Sequence, residues 1–214
     1  MKSIVLTILT LFFFTLSCNS NSANKEKLPQ QQLDKYETAY FASGCFWCVE
    51  AIFESVKGVK EVVSGYAGGK AETANYQLVS AGRTDHAEAV KVYYDAKVVS
   101  YQTLVKVFFG SHDPTTLNRQ GPDAGRQYRS AIFYKDVKEK KIVDNYIKKL
   151  IADKVFAGTI TTEVTKYTAF YDAEAYHQDY EANNPNNPYI RGVSIPRLKR
   201  FQKKFPELLK KETH

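Results

Sequence analysis

The sequence predicts an α/β fold in which a mixed sheet and the helices packed on it form a two-layer sandwich. Apolar residues alternate with polar ones in short segments such as 90–94, as in a half-buried strand. They recur every three or four residues in segments such as 101–109, as in an amphipathic helix. Because such strands and helices follow one another, and some strands are adjacent, helices packed on a sheet are the expected architecture.

The elements are expected in the following places. A strand at 39–42 leads into a helix that starts near Cys45 and ends before Gly58, and the valines at 62–63 precede a turn-rich, glycine-containing stretch at 65–69. The rest of the chain predicts, in order, a strand at 90–94, a helix at 101–109, a long loop at 111–127, a strand at 130–134, a helix at 143–151, a strand at 160–164 and an irregular segment at 183–188.

Composition and charge describe an ordinary globular domain with appendages. The chain has 214 residues, of which 43% are hydrophobic and 25% charged. Its formal net charge is +7, yet residues 191–214 alone hold +6 and residues 18–190 sum to zero. The basicity therefore belongs to a C-terminal tail rather than to a binding face of the domain, so no nucleic-acid partner is expected. The protein is expected to be a monomer.

The first residues have the features of a targeting signal. Lys2 precedes an apolar run at 4–14, which is too short to span a membrane and ends in Leu16-Ser17-Cys18. Cys18 resembles the lipidation site of bacterial lipoproteins, which implies cleavage after residue 17 and a lipid on Cys18, although an ordinary secretory signal remains an alternative. The polar residues 18–34 then form a flexible tether. The protein is thus expected to be exported and anchored to a membrane, facing the periplasm or the cell exterior.

Cys45 and Cys48 form a CxxC pair where the first strand meets the first helix. Their spacing is compatible with a disulfide, and free N–H groups at the helix start are expected to lower the pKa of Cys45. A passive disulfide would stabilise such a small ring little. A zinc site needs two further ligands, and a c-type haem needs His where Val49 stands. Redox chemistry is the favoured interpretation, with no metal and no cofactor.

Several motifs in order resemble the signature of A-type peptide methionine sulfoxide reductases. They are Gly44-Cys45-Phe46-Trp47-Cys48-Val49-Glu50, the stretch 65–69, Asn75-Tyr76, His86-Ala87-Glu88, the run 112–116, the run 119–123 and the run 127–130. The resemblance covers roughly residues 38–190. It implies a ferredoxin-like sandwich for a catalytic domain placed at 35–190, with the basic tail at 191–214.

The resemblance also implies a role for each matching residue. Cys45 is the nucleophile that attacks the sulfur of methionine S-sulfoxide, and Glu88 is the acid that protonates the departing oxygen. Tyr76 and Tyr128 hydrogen-bond that oxygen, and Asp123 helps to order the site. The aromatic wall around the substrate methyl group is formed by Phe46 and Trp47.

Cys48 marks a departure from many members of that family, which carry Gly there and resolving cysteines near the C-terminus. Residues after Tyr180 include no cysteine. Cys45 sulfenic acid is therefore expected to condense with Cys48, and a thioredoxin-like reductant to reduce the disulfide. The expected substrates are oxidised proteins and peptides, together with free methionine sulfoxide. Two alternatives stay open at this point: a general thiol–disulfide oxidoreductase, and a binding lipoprotein with a structural disulfide.

Overall fold

A mixed sheet of six strands organises the computed structural model, which describes residues 28–211. The expected signal peptide and the expected lipidation site, Cys18, lie outside the described residues. The strands of the main sheet and of a two-stranded hairpin are β1 (Glu37–Ser43), β2 (Val59–Ala67), β3 (Ala87–Tyr94), β4 (Arg119–Gln120), β5 (Asp123–Ala124), β6 (Ser130–Tyr134), β7 (Glu163–Lys166) and β8 (Phe170–Asp172).

Within the described residues, one α-helix precedes the first strand, four lie between strands along the chain, and two follow the last strand. They are α1 (Gln30–Leu33), α2 (Phe46–Glu54), α3 (Tyr76–Ser80), α4 (Tyr101–Ser111), α5 (Val137–Ala152), α6 (Tyr180–Asn183) and α7 (Ile195–Lys204), with a π-helical turn over Ile190–Ser194. In the described part of the chain, no helix has both the length and the apolar character needed to cross a membrane.

The order of the main sheet is β7-β6-β1-β3-β2-β8, and β4 pairs only with β5. The strand β1 lies between β3 and β6 and is antiparallel to both, so that Phe41 stands opposite Val90 on one side and Ile132 on the other. Only β6 and β7 are parallel, which makes the sheet mixed. The architecture is therefore a mixed α/β fold, as the alternating periodicities predicted.

The larger core lies between one face of the sheet and the longer helices. The ring of Phe41 stacks on Phe53 of α2 at 4.9 Å and on Phe108 of α4 at 5.5 Å. Because successive residues of a strand face opposite sides, Tyr40 points to the other face, where Tyr167 and Phe170 cover it. The helix α2, at whose start the cysteine pair lies, is thus held against the sheet by a continuous aromatic core.

The segment at 65–69 differs from its expected structure. Gly65 and the following two residues belong to β2, in the sheet interior, rather than to a turn. A Cβ at Gly65 would lie 2.3 Å from the carbonyl oxygen of Tyr171, so the glycine allows β8 to approach β2 closely. The sequence pattern of glycines indicated a turn because it does not distinguish a bend from a close approach of two strands.

The segment after residue 190, which was expected to be a basic tail, is folded against the domain. Phe201 of α7 is buried in the main core, and Arg197 is only 7% exposed. The predicted strand at 160–164 lies slightly later, at Glu163–Lys166, and the predicted loop at 111–127 contains the short hairpin of β4 and β5. The basic segment therefore packs on the domain as a helix, with its charged residues other than Arg197 on the outer side.

Candidate active site

The cysteine pair lies at the start of α2, directly after β1. Cys45 is the N-cap residue of α2, and Cys48 lies in its first turn. Gly44 precedes the pair with a φ of +93°, and a Cβ there would come within 2.6 Å of the Gln120 side chain. Only glycine fits this turn without displacing its neighbour. Both cysteines are free thiols, so the structure represents the reduced protein.

The electrostatics of the pair correct one expectation from the sequence. Burial raises the pKa of Cys45 well above its ordinary value, and the hydrogen bond with Cys48 and the charge of Glu88 raise it further. A hydrogen bond from Tyr189 opposes this shift. The helix N-terminus was expected to lower this pKa, but Cys45 is only 7% exposed, so the loss of hydration outweighs the helix.

Cys48 shows the opposite shift. Its hydrogen bond with Cys45 lowers the pKa of Cys48 to about 6, against the effect of burial, and the charge of Arg197 contributes in the same direction. The hydroxyl groups of Ser194 and Tyr189 next to the Cys48 sulfur add smaller effects. The negative charge of the reduced pair therefore lies on Cys48, and Cys45 is a thiol that donates to it.

Glu88 lies on β3, opposite Tyr66 of β2, and is 2% exposed. Its Oε2 accepts a hydrogen bond from the backbone N–H of Phe46 at 3.1 Å, which ties the carboxyl group to the residue after Cys45. Burial raises the pKa of Glu88 to about 8, while the Phe46 bond opposes the shift and the charges of Asp123 and Cys48 add to it. The carboxyl group is therefore mostly protonated at pH 7, as a proton donor requires.

Aromatic side chains surround this carboxyl group. Phe46 is fully buried, and Trp47 is half-buried and stacks on Tyr180 at 3.7 Å. The indole Nε1 of Trp47 donates a hydrogen bond to Nδ1 of His177 at 3.1 Å. The imidazole of His177 packs on Phe46 at 5.0 Å and on Tyr76 at 4.3 Å. The rings together form an apolar wall of the kind that suits a small S-methyl group.

The two expected tyrosines are also part of this environment. Burial raises the pKa of Tyr76 to about 12 and raises that of Tyr128 as well, and in both cases the charges of Glu88 and Cys45 contribute. Both hydroxyl groups therefore remain protonated and available as donors. Tyr76 opens α3, where its backbone N–H donates to Oε1 of Glu174 at 2.9 Å.

Asp123 reaches the cysteines through Tyr189. The hydroxyl of Tyr189 donates to Oδ2 of Asp123 at 2.6 Å and lies 3.8 Å from the Sγ of Cys48. Burial raises the pKa of Asp123, and the hydrogen bond from Tyr189 opposes that shift. Asp123 therefore orders the site by fixing a hydroxyl group beside the pair.

The structure thus gathers the expected catalytic and substrate-binding residues around the start of α2, and it adds others that the sequence did not single out for this role, Arg197 among them. His177, Tyr180 and Tyr189 come from the chain between β8 and α7, more than 120 residues after the cysteines. The motifs gave no signal for Tyr189, one of 15 tyrosines, and His177 was interpretable as an ordinary core or loop histidine.

Three carboxylates outside this group come close enough to one another to share a cation. Oxygen atoms of Glu54, Glu61 and Asp179 all lie within 4.8 Å of each other. Acidic side chains at such spacing are common without a metal, and each of the three has another interaction partner. Neither cysteine belongs to this cluster.

Comparison with known proteins agrees with this geometry. The family model described as peptide methionine sulfoxide reductase matches residues 37–209. The chain belongs to the peptide methionine sulfoxide reductase family. The match extends through α7, so most of the segment expected as a separate tail lies within the residues that the family model matches.

Individual relatives cover most of the chain. It is 49% identical over 178 residues to peptide methionine sulfoxide reductase MsrA 2 of Synechocystis sp., covering 83% of each chain. It is 44% identical over 173 residues to the MsrA of Chromobacterium violaceum, covering 81% of this chain and 98% of that one.

Two solved structures share the fold. Reduced Mxr1 of Saccharomyces cerevisiae has a TM-score of 0.67 and 34% identity, with 71% of this chain and 87% of that chain covered. Methionine sulfoxide reductase A of Corynebacterium diphtheriae has a TM-score of 0.62 and 38% identity, with 70% and 75% covered.

Proposed function

We propose that the protein reduces the S epimer of methionine sulfoxide, in oxidised proteins and peptides and as the free amino acid, through Cys45. Methionine sulfoxide reduction follows from family membership. The observation that carries the assignment of roles is the position of Glu88: a buried, protonated carboxyl group bonded to the backbone of the residue after Cys45 and enclosed by aromatic rings.

The first step joins the sulfur of Cys45 to the sulfoxide sulfur. A sulfoxide oxygen leaves only after protonation, and Glu88 holds the proton it needs. The hydroxyl groups of Tyr76 and Tyr128 stabilise the charge that develops on that oxygen, because preorganised donors need no rearrangement as the reaction proceeds. The S-methyl group lies against Phe46 and Trp47. The oxygen takes up the protons of Glu88 and of the Cys45 thiol and leaves as water, so that the S–O bond is replaced by an S–S bond between Cys45 and the methionine. Water then attacks the Cys45 sulfur, and the S–S bond breaks with its electron pair on the methionine sulfur. Methionine is released, Cys45 is left as a sulfenic acid, and the proton of the attacking water returns to Glu88.

The second step is an attack by Cys48. Its sulfur attacks the sulfenic sulfur, the S–S bond forms, the S–O bond breaks, and the oxygen takes up a proton and leaves as water. Of the residues described, Cys48 is the only other cysteine. The disulfide then needs an external dithiol, and thioredoxin or a thioredoxin-like protein is the proposed reductant. Mxr1 of Saccharomyces cerevisiae, for its part, has been solved in complex with Trx2.

The proposed location rests on the sequence alone. The apolar segment within residues 1–17 is a signal peptide, Cys18 carries a lipid, and residues 18–34 connect the domain to the membrane surface. The end of this connection is ordered, because Gln30–Leu33 form α1 and Leu33 is buried. The enzyme is proposed to act as a monomer on exported proteins that face the periplasm or the cell exterior.

The strand order supports a finer description of the fold. In the order β6-β1-β3-β2, each strand is antiparallel to its neighbours. Along the chain, α2 connects β1 to β2, and α4 lies between β3 and β6. This is the connectivity of a ferredoxin-like two-layer sandwich. We therefore propose that description for the catalytic core.

The function is tested by single turnovers of a peptide that carries each epimer of methionine sulfoxide, with both cysteines followed by mass spectrometry. The parent protein is expected to consume only the S epimer and to end as a Cys45–Cys48 disulfide. Cys45→Ser should release no methionine, whereas Cys48→Ser should release one equivalent and stop at the sulfenic acid. Multiple turnovers by Cys48→Ser with thioredoxin as sole reductant would refute the relay, and faster reduction of insulin than of sulfoxide would favour a general oxidoreductase.

A further inference from the structure

Arg197 of α7 is a buried cation without an ion-pair partner. Its Nε donates to the carbonyl oxygen of Ser111 at 2.9 Å, and its Nη2 donates to the hydroxyl of Ser43 at 3.2 Å. Both acceptors are neutral, and within residues 28–211 the guanidinium forms no salt bridge with a carboxylate. A buried charge is costly unless an anion compensates it, so this arginine points to a negative charge nearby.

His112, which follows α4 and lies near Arg197, does not supply the compensating negative charge. His112 is half-buried, and the loss of hydration together with the charge of Arg197 lowers its pKa to about 3. The imidazole is therefore neutral at physiological pH. Its Nδ1 lies 2.7 Å from the carbonyl oxygen of Phe108, and its Nε2 lies 2.8 Å from the hydroxyl of Ser130, so it contributes no charge to the guanidinium.

On its other side, Arg197 lines a cleft of about 200 Å³ together with Cys48, Asp123 and Tyr189. The guanidinium of Arg197 and the thiol of Cys48 therefore face the same small cleft. The charge of Arg197 acts on the carboxyl group of Asp123 in the same space as well. Burial raises the pKa of Asp123, and the Tyr189 hydrogen bond and Arg197 oppose that shift, but this group is only half-buried. Cys48 is almost completely buried, so its charge depends more strongly on a compensating cation.

The titratable and polar groups that surround Cys48 come from every neighbouring element. They are Cys45 at the N-cap of α2, Glu88 of β3, Asp123 of β5, Tyr189 and Ser194 before α7, and Arg197 and Arg200 of α7. Of the two arginines, Arg200 is exposed to solvent, and Arg197 is the buried cation that acts on Cys48. The pKa of Cys48 is lowered first by the Cys45 hydrogen bond, against burial, and then by Arg197.

We propose that Arg197 is a positioning residue for the second half of the reaction, in which its guanidinium keeps Cys48 as the thiolate that attacks the Cys45 sulfenic acid. The inference rests on the proposed function. In this step the Cys48 thiolate supplies the electron pair of the new S–S bond, the sulfenic S–O bond breaks, and the oxygen leaves as water after taking up a proton. Formation of the disulfide removes the negative charge of Cys48 from beside Arg197 until the disulfide is reduced, and Asp123 stays in the cleft.

The test measures the thiolate directly, without turnover. In a Cys45→Ser background, the absorbance of the Cys48 thiolate at 240 nm is titrated from pH 5 to 9. Arg197→Gln retains side-chain hydrogen-bond donors but removes the charge, and is expected to raise the titration midpoint by about one pH unit. Arg197→Lys should restore most of the shift. Lys199→Met, on the exposed side of the same helix, removes the same charge and should leave the midpoint unchanged.

The second measurement is the rate at which sulfenic acid becomes disulfide in a single turnover of the protein with both cysteines. If Cys48 titrates at about 7 rather than 6, the rate in Arg197→Gln should fall about fivefold at pH 6 and match the parent at pH 9. Arg197→Met provides a second neutral variant in case the glutamine variant does not fold, and circular dichroism checks both.

Equal midpoints in the parent and in a folded neutral variant would overturn the inference. So would an equal loss of rate at pH 6 and pH 9, since a purely structural role predicts no dependence on pH. Failure of the proposed function has a different signature: in that case the parent protein releases no methionine, whatever the titration of Cys48 shows.

Discussion

Replacing Glu88 by Gln should slow the enzyme and stabilise its fold at the same time. The amide keeps an oxygen that can accept the backbone N–H of Phe46, so the local geometry is retained. It has no acidic proton to give to the sulfoxide. The loss of a general acid typically costs about 10²–10⁴-fold in rate, and we expect methionine release in a single turnover to fall by that amount.

The stability change follows from the pKa of Glu88. This pKa is about 8 in the folded protein against an ordinary value of 4.5, so the folded state binds a proton that the unfolded chain releases. The stabilisation that this bound proton gives the folded state is fully present below pH 4.5 and is lost as the pH rises through 8. At pH 7, keeping the group protonated costs about 3 kcal/mol, at about 1.4 kcal/mol for each pH unit above 4.5. Glutamine avoids this cost, although its amide must find hydrogen-bond partners, so a gain of about 1–3 kcal/mol is expected.

Glu50 offers a matched control on α2. It is also buried, and burial raises its pKa to about 8 as well, with a hydrogen bond from the backbone of Asp179 opposing the shift. Glu50→Gln should therefore stabilise the protein to a similar extent while leaving methionine release unchanged. Urea unfolding at pH 5 and pH 7.5 measures the stability of all three proteins, and the gain should be larger at pH 7.5.

Two results would refute this reasoning. One is a Glu88→Gln variant whose single-turnover rate stays within a few-fold of the parent, which would mean that another group protonates the oxygen. The other is a variant that loses stability at pH 7.5 but not at pH 5, since that is the opposite pH dependence. A parent rate that stays constant from pH 7 to pH 10 would likewise contradict a donor with a pKa of about 8.

Further substitutions test the rest of the site. Tyr76→Phe and Tyr128→Phe should each lower kcat by about tenfold, and their double variant by more, because one donor to the developing charge partly replaces the other; equal KM values in steady-state assays would separate this from a loss of binding. Gly44→Ala should destabilise the fold by about 2 kcal/mol or more, measured by urea unfolding, because its φ of +93° and the side chain of Gln120 leave no room for a methyl group. An alanine variant as stable as the parent would show that the turn before Cys45 is not constrained.

Those helices and site residues that follow from the order of neighbouring residues could be predicted from the amino-acid sequence. The periodicity of apolar residues predicted α2 and α4, and the motifs around Cys45 and Glu88 predicted the family. These features are readable because the period of a helix or strand and the order of a motif are properties of neighbouring residues.

The tertiary structure decided which cysteine holds the charge and which residues surround it. Cys45 was expected to be the thiolate, but burial and Glu88 raise its pKa, whereas the lowered pKa belongs to Cys48. Tyr189 and Arg197 reach the pair only because the C-terminal chain folds back over α2. Burial and charge depend on contacts between residues far apart in the chain, and no local pattern records how those segments meet.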